Sequence, residues 1–154
     1  MTTLILAGCG GSGAQKPQST QTVTGPGFRF DAPASWRVGH SGDSAWASHD
    51  AELVQVMTFT LVKPYSDRLY AKVEPELAAR MAGVARESGG AVSAEEPVTA
   101  AGVRSHRYRV TSGSRVDEYT FVLRDRREYQ LICRRSGPAG EAVCARLVSS
   151  FAVA

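Results

Sequence analysis

The chain has 154 residues, an apolar fraction of 43%, a charged fraction of 21% and a net charge of +3. This length suffices for one domain and not for two ordinary ones. The small positive charge is far from the dense basic surface of a nucleic-acid-binding protein, and no run of about 18 apolar residues predicts a membrane-spanning helix. We therefore expect one globular domain that binds no nucleic acid.

The first nine residues resemble the end of a bacterial lipoprotein signal peptide, because Leu6, Ala7 and Gly8 precede Cys9. Small side chains suit the signal peptidase just before its cut, and the thiol of Cys9 would accept the diacylglycerol. We expect residues 1–8 to be a signal-peptide remnant. The charged n-region and full apolar h-region are missing, so we expect the true start to lie further upstream. The alternative is a chance match in a cytoplasmic protein.

A polar segment follows the cysteine. Residues 10–22 contain no large apolar side chain, so they cannot offset the entropy of ordering by burial. We therefore expect residues 9–24 to comprise the lipidated cysteine and a flexible tether. This layout is typical of a lipoprotein. It predicts a protein held by a lipid anchor on the extracytoplasmic face of a cell membrane.

Residues 25–154 carry the alternation and periodicity of folded strands and helices. The longest early strand has apolar side chains on both faces, so we expect it to be covered on both sides. The predicted strands of this half are 28–31, 45–48 and 53–63. Apolar side chains at helical spacing then predict a helix between Ser66 and Ser88, with Pro75 in its first turn.

The second half of the domain predicts a strand meander and a closing helix. Short turns join the strands, and connections this short form antiparallel hairpins. The predicted elements are the strands 103–111, 115–124 and 128–134 and the helix 139–151. The order of strands, helix, meander and helix predicts an α+β fold in which helices flank an antiparallel sheet.

The segment from Phe28 to Trp36, in which an aromatic strand runs through Pro33 into a tryptophan, resembles the opening of PsbP-like domains. The later elements follow a similar order, and residues 25–154 are also similar to secreted lipoproteins of the LpqN type. The resemblance implies an α/β/α sandwich. It also implies a binding or assembly factor rather than an enzyme.

The remaining cysteines predict a disulfide. Cys133 lies near the end of the last strand, and Cys144 lies on the apolar face of the closing helix, where that helix should meet the sheet. A bond between them would persist in an oxidising compartment. It would leave Cys9 without a disulfide partner, so Cys9 needs another chemical role. The alternative is two buried thiols in a reduced cytosolic protein.

Catalytic and metal-binding patterns are missing from the sequence. His40, His49 and His106 each lack a second ligand at a metal-ligand spacing. No nucleophile elbow or nucleotide-binding loop occurs. The sequence therefore predicts no catalytic residues, no metal site and no cofactor.

Two groups of residues are candidates for a ligand or partner face. Trp36 and Trp46 could form a wall of a groove, although packing is the alternative. Arg124, Arg126 and Arg127 could contact anionic headgroups or an acidic partner, although a solvated turn is the alternative.

We predict a membrane-anchored, non-catalytic binding or assembly module for an envelope protein or a small apolar ligand. The alternatives are an envelope enzyme of unrecognised type and a purely structural surface protein. The residues that line a pocket would distinguish these three functions. An enzyme needs titratable groups with perturbed pKa values in one cleft, a binding module needs an apolar groove, and a structural protein needs neither.

Overall fold

The structure is a computed structural model that describes residues 18–154. The elements of this part of the chain are β1 (Thr20–Gly25), β2 (Phe28–Pro33), β3 (Arg37–Ser41), β4 (Ser44–His49), β5 (Glu52–Thr60), α1 (Asp67–Glu87), β6 (Ala91–Ala100), β7 (Val103–Ser112), β8 (Arg115–Arg124), β9 (Arg127–Ser136), a 3-10 turn (Pro138–Gly140), α2 (Glu141–Ser150) and β10 (Ala152–Val153). Within residues 18–154, no helix combines the length and apolar character that crossing a bilayer requires.

Seven strands form one antiparallel sheet in the order β3-β4-β5-β9-β8-β7-β6, and a small antiparallel sheet has the order β1-β2-β10. Helix α1 packs on one face of the large sheet, against β6 and β7. Helix α2 and the small sheet pack on the other face. The predicted α+β fold with helices on both sides of an antiparallel sheet is confirmed.

The larger core lies on the α2 face. Val54 of β5 pairs with Cys133 of β9, and both side chains are buried there. Phe28 and Phe151 pack with Tyr129, whose ring centroid is 5.4 Å from that of Phe151. The predicted bond between Cys133 and Cys144 is confirmed, with their Cα atoms 5.4 Å apart. It ties α2 to the sheet.

A smaller core lies under α1, where Leu77 and Met81 pack on Tyr108 and Phe121. The helix begins earlier than the sequence predicts, and Pro75 lies inside it rather than in its first turn. The loss of one backbone hydrogen bond at this proline is outweighed by capping of the true start and by the burial of the apolar stripe.

Two further predictions need correction. Residues 20–24, assigned to the tether, form β1 instead, because this segment pairs along β2 and buries Val23. The second face of β5 is not fully covered, since Phe59 is 46% exposed and Met57 is half-buried. Helix α1 lies over β6 and β7 and leaves this part of the sheet open. Residues 1–17, including Cys9, lie outside the described residues.

Candidate functional site

A cleft of about 520 Å³ opens between the first half of α1 and strand β7. The residues that line it are mostly polar or ionisable: Tyr65, Asp67, Tyr70, Ala71, Glu74, Arg104 and His106. Most of them come from α1 and the segment just before it, and the other two come from β7.

Local sequence fixes the position of the helix beside this cleft. The Ser66 hydroxyl accepts a hydrogen bond from the Leu69 amide at 3.2 Å, as an N-cap does. The Tyr65 amide donates to the Asp125 carbonyl, which holds the start of α1 against the β8–β9 turn. Tyr70 and Glu74 are four residues apart, so they share the helix face that points to the sheet.

His106 stands between two carboxylates. Its Nε2 lies 3.5 Å from Glu74 Oε1, and its Nδ1 lies 3.3 Å from Glu95 Oε1 on the edge strand β6. One ligand atom from each of the three residues lies within 4.8 Å of the others. The imidazole side chain is only 13% exposed. This group of Glu74, Glu95 and His106 could hold a divalent cation.

Two tyrosines complete the surroundings of His106. Burial, followed by the charge of Glu74, raises the pKa of Tyr70 to about 12. Burial, followed by the charge of Glu95, also raises the pKa of Tyr108. Both phenols therefore stay neutral at physiological pH and can donate hydrogen bonds. Their buried hydroxyl groups face the carboxylates without completing a hydrogen bond of good geometry.

The cleft concentrates ionisable groups but offers no obvious reaction. Its lining contains no serine, threonine, cysteine or lysine that could act as a nucleophile. The phenols with raised pKa values are hydrogen-bond donors rather than bases. The lining combines the rings of Tyr65 and Tyr70 with charged side chains, so it differs from the apolar groove expected of a binding module and suits a ligand with polar or charged groups.

The two tryptophans, considered either as packing residues or as a possible wall of a groove, do not meet. Trp36 belongs to the core on the α2 face. Trp46 lies on the other face of β4, since its neighbours Ala45 and Ala47 point into the α2-side core, and it packs over Gly39. The two side chains therefore cannot form one wall.

The three candidate arginines surround the β8–β9 turn and are exposed. Arg124 lies 3.8 Å from Asp125, and Arg126 donates to the Val62 carbonyl at 3.1 Å. Arg127 lies beside Gly27. This turn contacts the start of α1 through Tyr65 and Asp125, but none of the three arginines is among the residues that line the cleft.

A second ionic cluster lies on the opposite face of the sheet from His106. Glu118 is 3% exposed and is within 3.5 Å of Arg107, Arg109 and Arg135. A hydrogen bond from Arg107 lowers the pKa of the neighbouring Glu96. These charges alternate across four adjacent strands, which is the pattern of cross-strand pairing within a sheet.

The structure resembles two solved structures. The solution structure of cyanobacterial PsbP (CyanoP) from Synechocystis sp. PCC 6803 matches with a TM-score of 0.64 and 17% identity, covering 97% of this chain and 99% of that chain. A crystal structure from Bacteroides thetaiotaomicron VPI-5482 matches with a TM-score of 0.60 and 8% identity, covering 86% of this chain and 48% of that chain. No protein-family model matches the chain, and no curated protein matches it either.

These comparisons define the class of fold. The architecture is a PsbP-like α+β domain, as the segment from Phe28 to Trp36 predicts. At such low identities the likeness concerns the fold alone. The cleft must therefore be interpreted from its own residues.

Proposed function

We propose that the chain is an extracytoplasmic lipoprotein that binds an envelope protein without catalysing a reaction. The observation that carries this proposal is the polar cleft beside α1, which opens at the end of the domain opposite residue 18. A tether at that residue would present the cleft away from the membrane.

The direction of β1 supports this orientation. The Ala34 amide donates to the Ser19 carbonyl near the start of the strand. Gly27, just after its end, lies beside Arg127 at the β8–β9 turn. A strand of this length spans about 20 Å. The chain therefore enters the domain at the end far from the turn that borders the cleft.

The cysteines support the lipid anchor. The bond between Cys133 and Cys144 is of the kind that persists in oxidising compartments. It leaves Cys9, which follows the signal-peptidase pattern, for acylation. Each buried CH₂ of an acyl chain contributes about 0.8 kcal/mol to membrane binding, and two or more chains anchor stably.

The lining of the cleft holds no serine, threonine, cysteine or lysine, and the raised pKa of Tyr70 makes its phenol a hydrogen-bond donor, which suits the binding of a partner. The competing function is an envelope enzyme, and the observation that favours it is His106 between two carboxylates, an arrangement that could transfer protons. Such an enzyme could activate water or use a carboxylate of the lining as its nucleophile.

Site-specific photo-crosslinking in intact membranes tests the proposed binding surface. A photoreactive residue at Ala71, which is exposed and lines the cleft, should yield one dominant protein adduct. The matched control is Ala145, an exposed alanine on α2 at the other side of the sheet. Equal adducts from both positions, or none from Ala71, would contradict the proposed surface.

Membrane fractionation tests the anchor. When a charged n-region and a full apolar h-region are fused ahead of Leu6, the protein should appear in the membrane fraction with the acylated Cys9 as its mature N-terminus. The Cys9→Ala variant should leave that fraction. If both proteins stay there equally, or if the mature N-terminus maps elsewhere, the anchor is wrong.

A further inference from the structure

The cleft has a feature that the proposed function does not use, namely three potential metal ligands that converge from three elements. Glu74 belongs to α1, Glu95 to β6 and His106 to β7. A metal site here rests on the proposed function of this cleft as the binding surface and adds a ligand to it.

We propose that Glu74, Glu95 and His106 bind a divalent transition-metal ion, with Zn²⁺ the best chemical match. Imidazole nitrogen and carboxylate oxygen are both zinc ligands, at about 2.0–2.2 Å. Ligands at that distance from a shared tetrahedral centre lie about 3.4 Å apart. The contact of 3.5 Å between His106 Nε2 and Glu74 Oε1 is of this size. The contact of 3.3 Å between Nδ1 and Glu95 Oε1 lies on the other side of the ring and is a hydrogen-bond contact.

Charge favours a cation at this position. Two carboxylates converge on one imidazole, and like charges at such separations repel one another unless a cation lies between them. Arg104 lines the same cleft and opposes the binding of cations. We therefore expect micromolar rather than nanomolar affinity.

The side chains around the three ligands also suit a metal site. The two glutamate side chains are 41% and 44% exposed, so they can rotate toward an ion, whereas the imidazole is held in place. The buried Tyr108 is 1% exposed, and its hydroxyl is an unpaired donor beside Glu95. Donors of this kind hold ligating carboxylates in position. Such a buried unpaired group calls for an explanation, and a ligated Glu95 would provide one.

Each nitrogen of His106 faces a different carboxylate, which limits the coordination. Nε2 opens into the cleft beside Glu74, so we assign the ion to this side of the ring. Glu95 then reaches the ion by rotating, or accepts a hydrogen bond from Nδ1 and fixes the tautomer of the ligand. Both roles make zinc affinity depend on Glu95.

Isothermal titration of the full chain with ZnCl₂ tests the site. All proteins carry Cys9→Ala, because a free thiol is itself a zinc ligand, and none carries a histidine tag. We expect one zinc ion per chain. Glu74→Gln, Glu95→Gln and His106→Gln should each weaken binding by about 10–100-fold. Circular dichroism verifies that each variant is folded.

The matched control is His49→Gln, which removes an exposed histidine that lies 3.5 Å from Asp50. This variant should bind zinc as the parent does. NMR provides a second readout, since zinc should shift the ring resonances of His106 and leave those of His49 unchanged. Absent binding in the parent, or equal affinities in the parent and Glu74→Gln, would overturn the proposed site.

The two proposals fail separately. Adducts from Ala71 in a protein that binds no zinc would reject the metal site and leave the binding function standing. Zinc binding without adducts from Ala71 would reject the envelope-protein partner and leave the metal site standing.

Discussion

The two faces of the seven-stranded sheet are filled in different ways. On the α2 face, seventeen buried residues form one continuous hydrophobic cluster. Cys133 and Cys144 belong to this cluster, and their disulfide links α2 to the sheet. On the α1 face, four buried residues form a smaller cluster that gives way to the ionisable groups of the cleft. Burial of apolar area is the dominant favourable term in folding. We therefore expect the α2 face to supply most of the stability, although it also holds the buried Glu118 cluster, whereas the smaller apolar core of the α1 face leaves room for the ionisable groups of the cleft.

The largest expected effect is a test of this difference in stability. Phe30 is fully buried in the α2-side cluster, 6.4 Å from the ring of Phe28. We expect Phe30→Ala to lower the free energy of unfolding by about 3–5 kcal/mol, because it removes a large side chain and leaves a cavity. Urea denaturation measures this loss.

The matched variant on the other face is Leu77→Ala, in the cluster under α1. Its cost should fall near the lower end of the roughly 2–5 kcal/mol range for buried leucines. Hydrogen exchange should increase in α1 rather than throughout the sheet. If Leu77→Ala costs more than Phe30→Ala, the assignment of stability to the α2 face is wrong.

The disulfide should contribute the next largest effect. Its two cysteines are 11 residues apart, and closing a loop of this size contributes about 3 kcal/mol in the chain-entropy model. The double variant Cys133→Ala/Cys144→Ala should lose this amount in urea denaturation. A reductant should bring the parent down to the same stability and leave the double variant unchanged. A parent whose stability is insensitive to reductant would contradict this account.

The smallest effect concerns the cleft and appears only at alkaline pH. Burial and the charge of Glu74 raise the pKa of Tyr70 to about 12, from about 10 in the unfolded chain. The unfolded chain therefore loses this proton first, and the stability that Tyr70 provides is complete below pH 10 and falls between pH 10 and 12.

The variant Tyr70→Phe should flatten this alkaline loss and change stability little at neutral pH. Urea denaturation at pH 8, 10 and 11 measures the slope, and absorbance titration should lose one late-ionising phenol. The same alkaline slope in both proteins would show that burial at Tyr70 is weaker than the structure indicates.

Two strands show why sequence patterns detect some elements and miss others. Strand β5 is a run of apolar side chains on both faces, and this pattern predicts it to within a few residues. Strand β6 goes undetected, because Pro97 and two adjacent glutamates are unfavourable in a strand with neighbours on both sides. In the folded protein β6 is an edge strand that pairs only with β7, and proline and charged residues are tolerated at edges.

The sequence by itself determined the features that depend on neighbours along the chain. Alternation and helical periodicity gave the α+β order, and the position of Cys133 on its strand together with the apolar face of α2 gave the disulfide. Local patterns carry this information because the side-chain period of a strand or helix is fixed by its backbone.

Only the tertiary structure decided the cleft. Glu74, Glu95 and His106 lie on a helix and two strands, and none of their local patterns marks them as partners. They meet because Ser66 starts α1 beside the β8–β9 turn and because β6 pairs with β7 in a register that sets Glu95 diagonally beside His106. The distance between residues on different elements depends on register and packing, which no spacing along the chain encodes.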